Sequence, residues 1–216
     1  MKTELSFDLS NFANHLILQD AFRSDIGLFS GKTGSLIFFF HYSAYTKNPL
    51  YERYAEKLLN EICENITTDL NFHFHNGFCG IGWTMEYLMT QCYLVGDSDV
   101  ALSDIDHLVM QYDPVYITTY SLEDGLEGIV YYVMSRLCSK RTNKDYIPFK
   151  PEYLERLRST CLMIPVENRT EIVCSYINGE LNMPYTECLL KILSMIRINL
   201  ENESINWSTG LKMLLE

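Results

Sequence analysis

Three potential metal donors fall within one short run, His73-Phe74-His75-Asn76-Gly77-Phe78-Cys79. Two histidines on alternate positions share one face of an extended segment, and Cys79 could fold back toward them through the Gly77 turn. Zinc uses such ligands, but it needs three or four of them in tetrahedral geometry, and no other His is close in sequence. Two readings follow: a metal site of His73, His75 and Cys79, or polar residues lining the mouth of a helix. The second is carried forward, so the expectation is no cofactor, with zinc as the alternative.

Carboxylates are the next candidates. Glu86 sits inside an otherwise apolar segment, and Glu123 and Asp124 precede Glu127 by a few residues. A carboxylate in a buried helix must be paired or must face a cavity, because burying it alone is costly. Glu86 is therefore expected either in a cavity or in a salt bridge. Asp124, directly before Gly125, also suits a helix N-cap. Gly27-Leu28-Phe29-Ser30-Gly31-Lys32-Thr33 resembles a phosphate-binding loop, but that loop needs four residues between its glycines. Here only Leu28, Phe29 and Ser30 intervene, and no clear strand precedes them. This is a helix-start turn and not a nucleotide site.

The elements that must position these residues are marked by glycines. Gly31-Lys32-Thr33-Gly34, Gly77-Phe78-Cys79-Gly80 and Gly125-Leu126-Glu127-Gly128 each open an apolar run, with first glycines 46 and then 48 residues apart. Gly31, Gly34, Gly77, Gly80, Gly125 and Gly128 are read as structural, at places where the backbone turns tightly or approaches a neighbour closely. A period in the forties predicts repeated helical pairs. The first inner helix is expected from Gly34 to about Tyr45, the second from Gly82 to Val95 and the third from Gly128 to about Cys138. All are apolar nearly all round and hence buried. One-sided outer helices are expected over Tyr51–Ile66, Val100–Val109 and from Pro151, with Asn48-Pro49 and Gly96-Asp97-Ser98 as turns and caps. A helix over 8–22, capped by Asp8 or Ser10, would place Leu9, Phe12, Leu16, Ile17 and Phe22 near one face. Tyr112 to Tyr120 reads as extended, a short hairpin arm. A polar loop spans Ser139 to Tyr146, helices are expected over 168–177 and 184–200, and a last turn or two begins near Ser208. The fold class is all-α, a single domain over 1–216 with clear repeats at about 8–160 and a divergent helical part at 161–216.

Composition excludes several functions. The formal charge of -11 argues against nucleic acid or an anionic membrane as partner. Basic residues group tightly only at Lys140, Arg141 and Lys144. The start lacks the apolar core of a signal peptide, and no apolar run is long enough to cross a bilayer, so a cytoplasmic location without membrane insertion is expected. Seven cysteines with no CxxC pair read as small buried hydrophobes.

Three glycine turns in register with inner and outer helices resemble the lanthionine synthetase C-like family, the lanthipeptide cyclases. Gly77 to Leu88 and Tyr42 to Thr46 look particularly like short bacterial members. The resemblance implies a toroid of α/α pairs whose inner helices surround a cavity, with the glycine turns around its rim. It also implies peptide-modification chemistry, in which zinc activates a peptide thiol. The family's zinc ligands lie at late turns that have no counterpart here. Its acid/base His precedes a turn glycine at a place held here by Ser30, Asn76 or Asp124. His75 stands one residue further back. The expected function is therefore a degenerate member, leaning away from catalysis, that binds a peptide or protein partner. Its binding rim would comprise Ser30, Asn76, Cys79, Glu86, Asp124 and Glu127, and a second chain could complete the toroid. The runner-up is a working enzyme using His75, Cys79 and Asp124. A third reading is a carbohydrate-active toroid with Glu86 and Glu127 as its acid pair.

Overall fold

The structure, a computed structural model, describes residues 2–140, 146–199 and 206–215. The regular elements among these residues are helices, and no strand occurs among them. The chain divides into two compact units: Met1–Thr67 together with Thr186–Glu216, and Thr68–Tyr185.

In the first unit, α1 (Lys2–Phe22), α2 (Lys32–Thr46) and α3 (Pro49–Asn65) are joined by the end of the chain, most of α10 (Tyr185–Asn199) and α11 (Trp207–Leu215). The α2 segment is buried from Thr33 through Phe40, as an all-round apolar helix must be. On α3 only Ala55, Leu58 and Ile62 are buried, and Tyr51 and Tyr54 turn their rings onto Phe39. Asn48 caps α3 by accepting from the Leu50 N–H, with Pro49 in the first turn. The first helix begins at Lys2, so neither Asp8 nor Ser10 is its cap. Leu9, Ala13 and Leu16 form its buried stripe, whereas Phe22, expected on that stripe, is 91% exposed at the helix end.

In the second unit, α4 (Phe78–Thr90) is followed by α5 (Ser98–Ala101), α6 (Ser103–Val109), α7 (Leu126–Leu137), α8 (Pro151–Met163) and α9 (Glu171–Asn178). Every residue of α4 from Phe78 to Leu88 and of α7 from Leu126 to Arg136 is buried. The two helices approach closely at Gly82, where a Cβ would lie 2.3 Å from the Tyr132 ring. Around this pair lie α6, which packs on α4, and α9, which packs on α7 and α8.

Several expectations need correction. The second inner helix stops at Thr90, five residues short of Val95, because Cys92 takes a left-handed backbone and the N–H groups of Tyr93 and Leu94 turn back to Leu88 O. The outer helix after Asp97 breaks at Leu102, and Val100, expected on its apolar side, is 76% exposed. Tyr112 to Tyr120 forms no strand: Asp113 accepts from Val115 N and starts a 3-10 turn over Pro114–Tyr116. Cys79, Cys161 and Cys188 are buried as expected, but Cys63, Cys92 and Cys174 are exposed and Cys138 is half-buried. The Ser139–Tyr146 loop and the Lys140–Lys144 group lie largely outside the described residues. No described helix is long and apolar enough to cross a membrane.

Candidate functional site

Each inner helix starts at the residue after the first glycine of its pair. Gly31, Gly77 and Gly125 are the N-caps, with closely similar extended backbone (φ -104, -130 and -121°; ψ -170, -160 and -165°). The residue after each glycine donates its N–H to the carbonyl seven residues before it. These bonds are Lys32 to Asp25 at 3.0 Å, Phe78 to Asn71 at 2.9 Å and Leu126 to Thr119 at 3.0 Å. The chain between folds back on itself, leaving no room at the glycine. A Cβ there would lie 2.3 Å from Gly27 N, 2.2 Å from Asn71 O and 2.5 Å from Thr119 O, respectively. The fourth residue of each loop, Leu28, Phe74 or Leu122, is buried and pins the loop to the core. The first side chain shapes two of the loops: Asp25 Oδ1 accepts from Gly27 N, and Asn71 Oδ1 accepts from His73 N.

This common frame sets out the polar residues. The residue before the glycine is Ser30, Asn76 or Asp124. Ser30, in the first unit, is exposed and donates to Asp25 Oδ2 at 2.9 Å. Asn76 and Asp124 belong to the second unit, where the two turns meet. There the Glu123 carbonyl accepts from Phe74 N at 2.9 Å, His75 N at 3.1 Å and His75 Nδ1 at 2.9 Å. A carbonyl only accepts, so Nδ1 carries the proton and the neutral ring keeps its basic lone pair on Nε2. Asp124 takes the Ser121 hydroxyl at 2.5 Å rather than capping α7, whose N-cap is Gly125 with no side-chain bond. Phe74 locks the junction by packing its ring near Trp83 and Tyr131, with centroids 5.6 and 6.1 Å away.

The residues present do not fit a zinc ion. The His73 and His75 rings stack 5.4 Å apart, while Cys79 has entered the first turn of α4 and is fully buried. Burial pushes the Cys79 thiol well up, opposite to what a metal-bound or reactive sulfur requires. Burial also lowers the His73 pKa, helped by His75 and opposed by the Asp124 charge and the Asn76 amide. Among the described residues, no three His, Cys, Asp or Glu side chains converge in a way that could hold a metal.

Glu86 is held in a buried salt bridge. It is 1% exposed, and its Oε1 accepts from Arg136 Nη1 at 2.6 Å. Arg136, itself fully buried, also reaches Asp106 Oδ2 at 2.8 Å, Asp99 Oδ1 at 3.0 Å and Ser98 Oγ at 3.2 Å. The Tyr132 hydroxyl donates to Asp106 Oδ1 at 2.6 Å. Burial raises the pKa of both Glu86 and Asp106, and the guanidinium opposes that rise. Glu86 is thus committed to an ion pair and not available as one half of an acid pair with Glu127, which is buried in the first turn of α7. Arg136 is the partner that sequence reasoning passed over. Its signal was there: Glu86 is the sole charge of α4, Arg136 ends the apolar run of α7, and such charges need each other.

Neither a protein-family model nor a curated protein matches the chain.

Proposed function

We propose that this chain is a short lanthionine synthetase C-like protein that holds a peptide or protein partner instead of cyclising one. The observation that carries this reading is the threefold turn. One loop geometry, repeated at Gly31, Gly77 and Gly125, presents a different small polar residue each time, Ser30, Asn76 and Asp124. In the second unit, Asn76 and Asp124 belong to two such turns joined at the Glu123 carbonyl, and hydrogen-bonding groups on so fixed a frame suit recognition of a peptide backbone and side chains. The toroidal arrangement of the helix pairs and its completion by a second chain belong to the same reading. The buried, high-pKa thiol of Cys79, turned into the first turn of α4 instead of toward the stacked His73 and His75 rings, weighs against thioether formation. A working enzyme keeps one observation in its favour, the Nε2 lone pair that the Glu123 carbonyl imposes on His75.

The test uses the whole protein and a Ser-, Thr- and Cys-containing peptide with some of its hydroxyl residues dehydrated. Binding is followed by calorimetry and free thiol by titration. Saturable binding that weakens in Asn76→Ala, with every thiol retained and no stoichiometric zinc in the protein, is the expected result. Thiol consumption that stops in His75→Ala would replace this reading with the enzymatic one, and no binding at all would end both.

A further inference from the structure

The net negative charge of the chain comes from one segment. Residues 58–135 contain 12 Asp and Glu and not one Lys or Arg, leaving 16 acidic against 17 basic residues in the rest. The net charge of -11 therefore arises from this segment, which runs from the second half of α3 through α4, α5 and α6 into α7 and includes both turns of the second unit; its Glu61 is paired with Lys32 and Lys57, and its Glu86, Asp99 and Asp106 with Arg136. Within it, between α6 and α7, the loop holds Val115, Tyr116 and Tyr120 out in water. Tyr116 is 82% exposed, Val115 49% and Tyr120 39%.

That ledge is pinned at both ends. At its start, Asp113 accepts from Val115 N at 3.1 Å and is clamped by Arg156. Beside it the Tyr112 ring packs 5.0 Å from Phe72, and its hydroxyl donates to Leu70 O at 3.2 Å. At its end, Thr119 O accepts from Leu126 N at 3.0 Å, and the Thr119 hydroxyl donates to the carbonyl of Asp124 at 3.2 Å. The Tyr rings are thus displayed on a fixed frame that runs directly into the turn carrying Glu123 and Asp124 and lies next to His73–Asn76.

We infer that the Val115–Tyr120 ledge and the adjoining Asp124 turn form the docking surface for a basic peptide, one rich in Arg or Lys. This rests on the peptide-binding reading above and specifies its ligand. Tyr faces attract cationic side chains, guanidinium most of all, and carboxylates beside them complete the recognition. Arg156, the cation at the start of the ledge, is taken up by Asp113, and the excess of carboxylates in the segment steers such a ligand in over a distance of about 10 Å. The same charge opposes the other occupants: a second copy would bring -11 against -11, and a nucleic acid would bring phosphates.

The experiment measures fluorescence anisotropy of three labelled peptides of equal length on the full chain. One alternates Arg with Gly and Ser, one has Gln in place of Arg, and one has Glu. The Arg peptide is expected to bind, to weaken by roughly tenfold or more between low salt and about 0.3 M salt, and to lose about five- to tenfold in Tyr116→Ala/Tyr120→Ala. Asp124→Asn is expected to lose about threefold, while Asp104→Asn, an exposed acid on α6, stays within about twofold. Circular dichroism of each variant confirms that it is folded. Equal binding of the Arg peptide to the tyrosine variant, tighter binding of the Glu peptide, or a dimer that dissociates in the tyrosine variant overturns the inference. Binding of the Gln peptide as tight as the Arg peptide, lost in Asn76→Ala, overturns it while leaving the peptide-binding reading standing. Binding of none of the three overturns it, and the dehydrated peptide then decides the peptide-binding reading separately.

Discussion

Two side chains of the first unit titrate in opposite senses across the same pH range. Asp20 is 1% exposed; its Oδ1 accepts from Arg23 Nη1 at 2.8 Å and Ser35 Oγ at 3.0 Å, and its Oδ2 has no partner among the described residues. Burial pushes its pKa to about 6, against the pull of Arg23. The folded state thus favours the neutral acid, so its contribution to stability is full below about pH 4 and is lost as pH rises through about 6. His41 does the reverse. Burial lowers its pKa to about 4, so its contribution is full above about 6.5 and is lost as pH falls through about 4. Between these limits the two offset each other. Asp20→Asn keeps a carbonyl for Arg23 and Ser35 but cannot ionise. Relative to the parent, it is expected to gain on the order of 2–3 kcal/mol between pH 4.5 and pH 7, and His41→Gln to shift the opposite way. Urea midpoints of both variants at the two pH values check this, and parallel shifts in both would refute the assignment.

At the scale of the element, the glycine turns make the sharpest prediction. A Cβ at Gly125 would strike Thr119 O at 2.5 Å and one at Gly128 would strike Leu122 O at 2.5 Å and Phe74 Cβ at 2.8 Å, whereas Gly96 has nothing within 4 Å. Gly125→Ala and Gly128→Ala are each expected to cost about 1–3 kcal/mol or more, and Gly96→Ala almost nothing. Equal denaturant midpoints for the three would show that the loops yield. Arg136 makes a second test, since its removal leaves Glu86, Asp99 and Asp106 facing one another in α4, α5 and α6. Arg136→Ala is expected to cost about 3–5 kcal/mol, while Arg136→Met combined with Glu86→Gln and Asp106→Asn recovers most of it; no recovery would mean that Arg136 acts by packing alone. Much of this was legible in the sequence, because all-round apolar runs behind paired glycines have only one place to go. The buried α4 and α7, the one-sided α3, and the caps at Asn48 and Asp97 followed from periodicity and local chemistry. Less legible were features decided by contacts distant in sequence. Leu102 breaks the outer helix to bury itself, Cys92 ends α4 with a left-handed residue, and Glu86 finds Arg136 fifty residues away. The site residues were legible as a group only within the second unit, where the Glu123 carbonyl joins the two turns.

At the scale of the molecule, the first unit is built from both ends of the chain, and sequence reasoning saw in its last element only a turn or two near Ser208. That element is α11, and it completes the core under the first glycine turn. Trp207 is fully buried, its Nε1 donates to Phe29 O at 3.1 Å, and Asn206 Nδ2 donates to the same carbonyl at 3.2 Å. The indole lies so close over Gly34 that a Cβ there would come 1.9 Å from its nitrogen. Gly34 is therefore required by a residue far along the chain and not by its own turn. Gly210 repeats the logic, with Phe12 of α1 2.2 Å and Phe38 of α2 2.7 Å from where its Cβ would be. Replacing the indole by a methyl leaves α2 facing a cavity and removes one of the two donors to Phe29 O. Trp207→Ala is accordingly expected to cost about 3–5 kcal/mol, and Trp207→Phe, which keeps most of the volume but not the N–H, nearer 1–2 kcal/mol. The readout that separates this from a general loss of stability is hydrogen exchange. Amides of α1, α2 and α11 should lose protection in Trp207→Ala by far more than those of α4 and α7, which belong to the other unit. Uniform loss across both units, or unchanged protection of α2, would show that the end of the chain does not hold the first unit together.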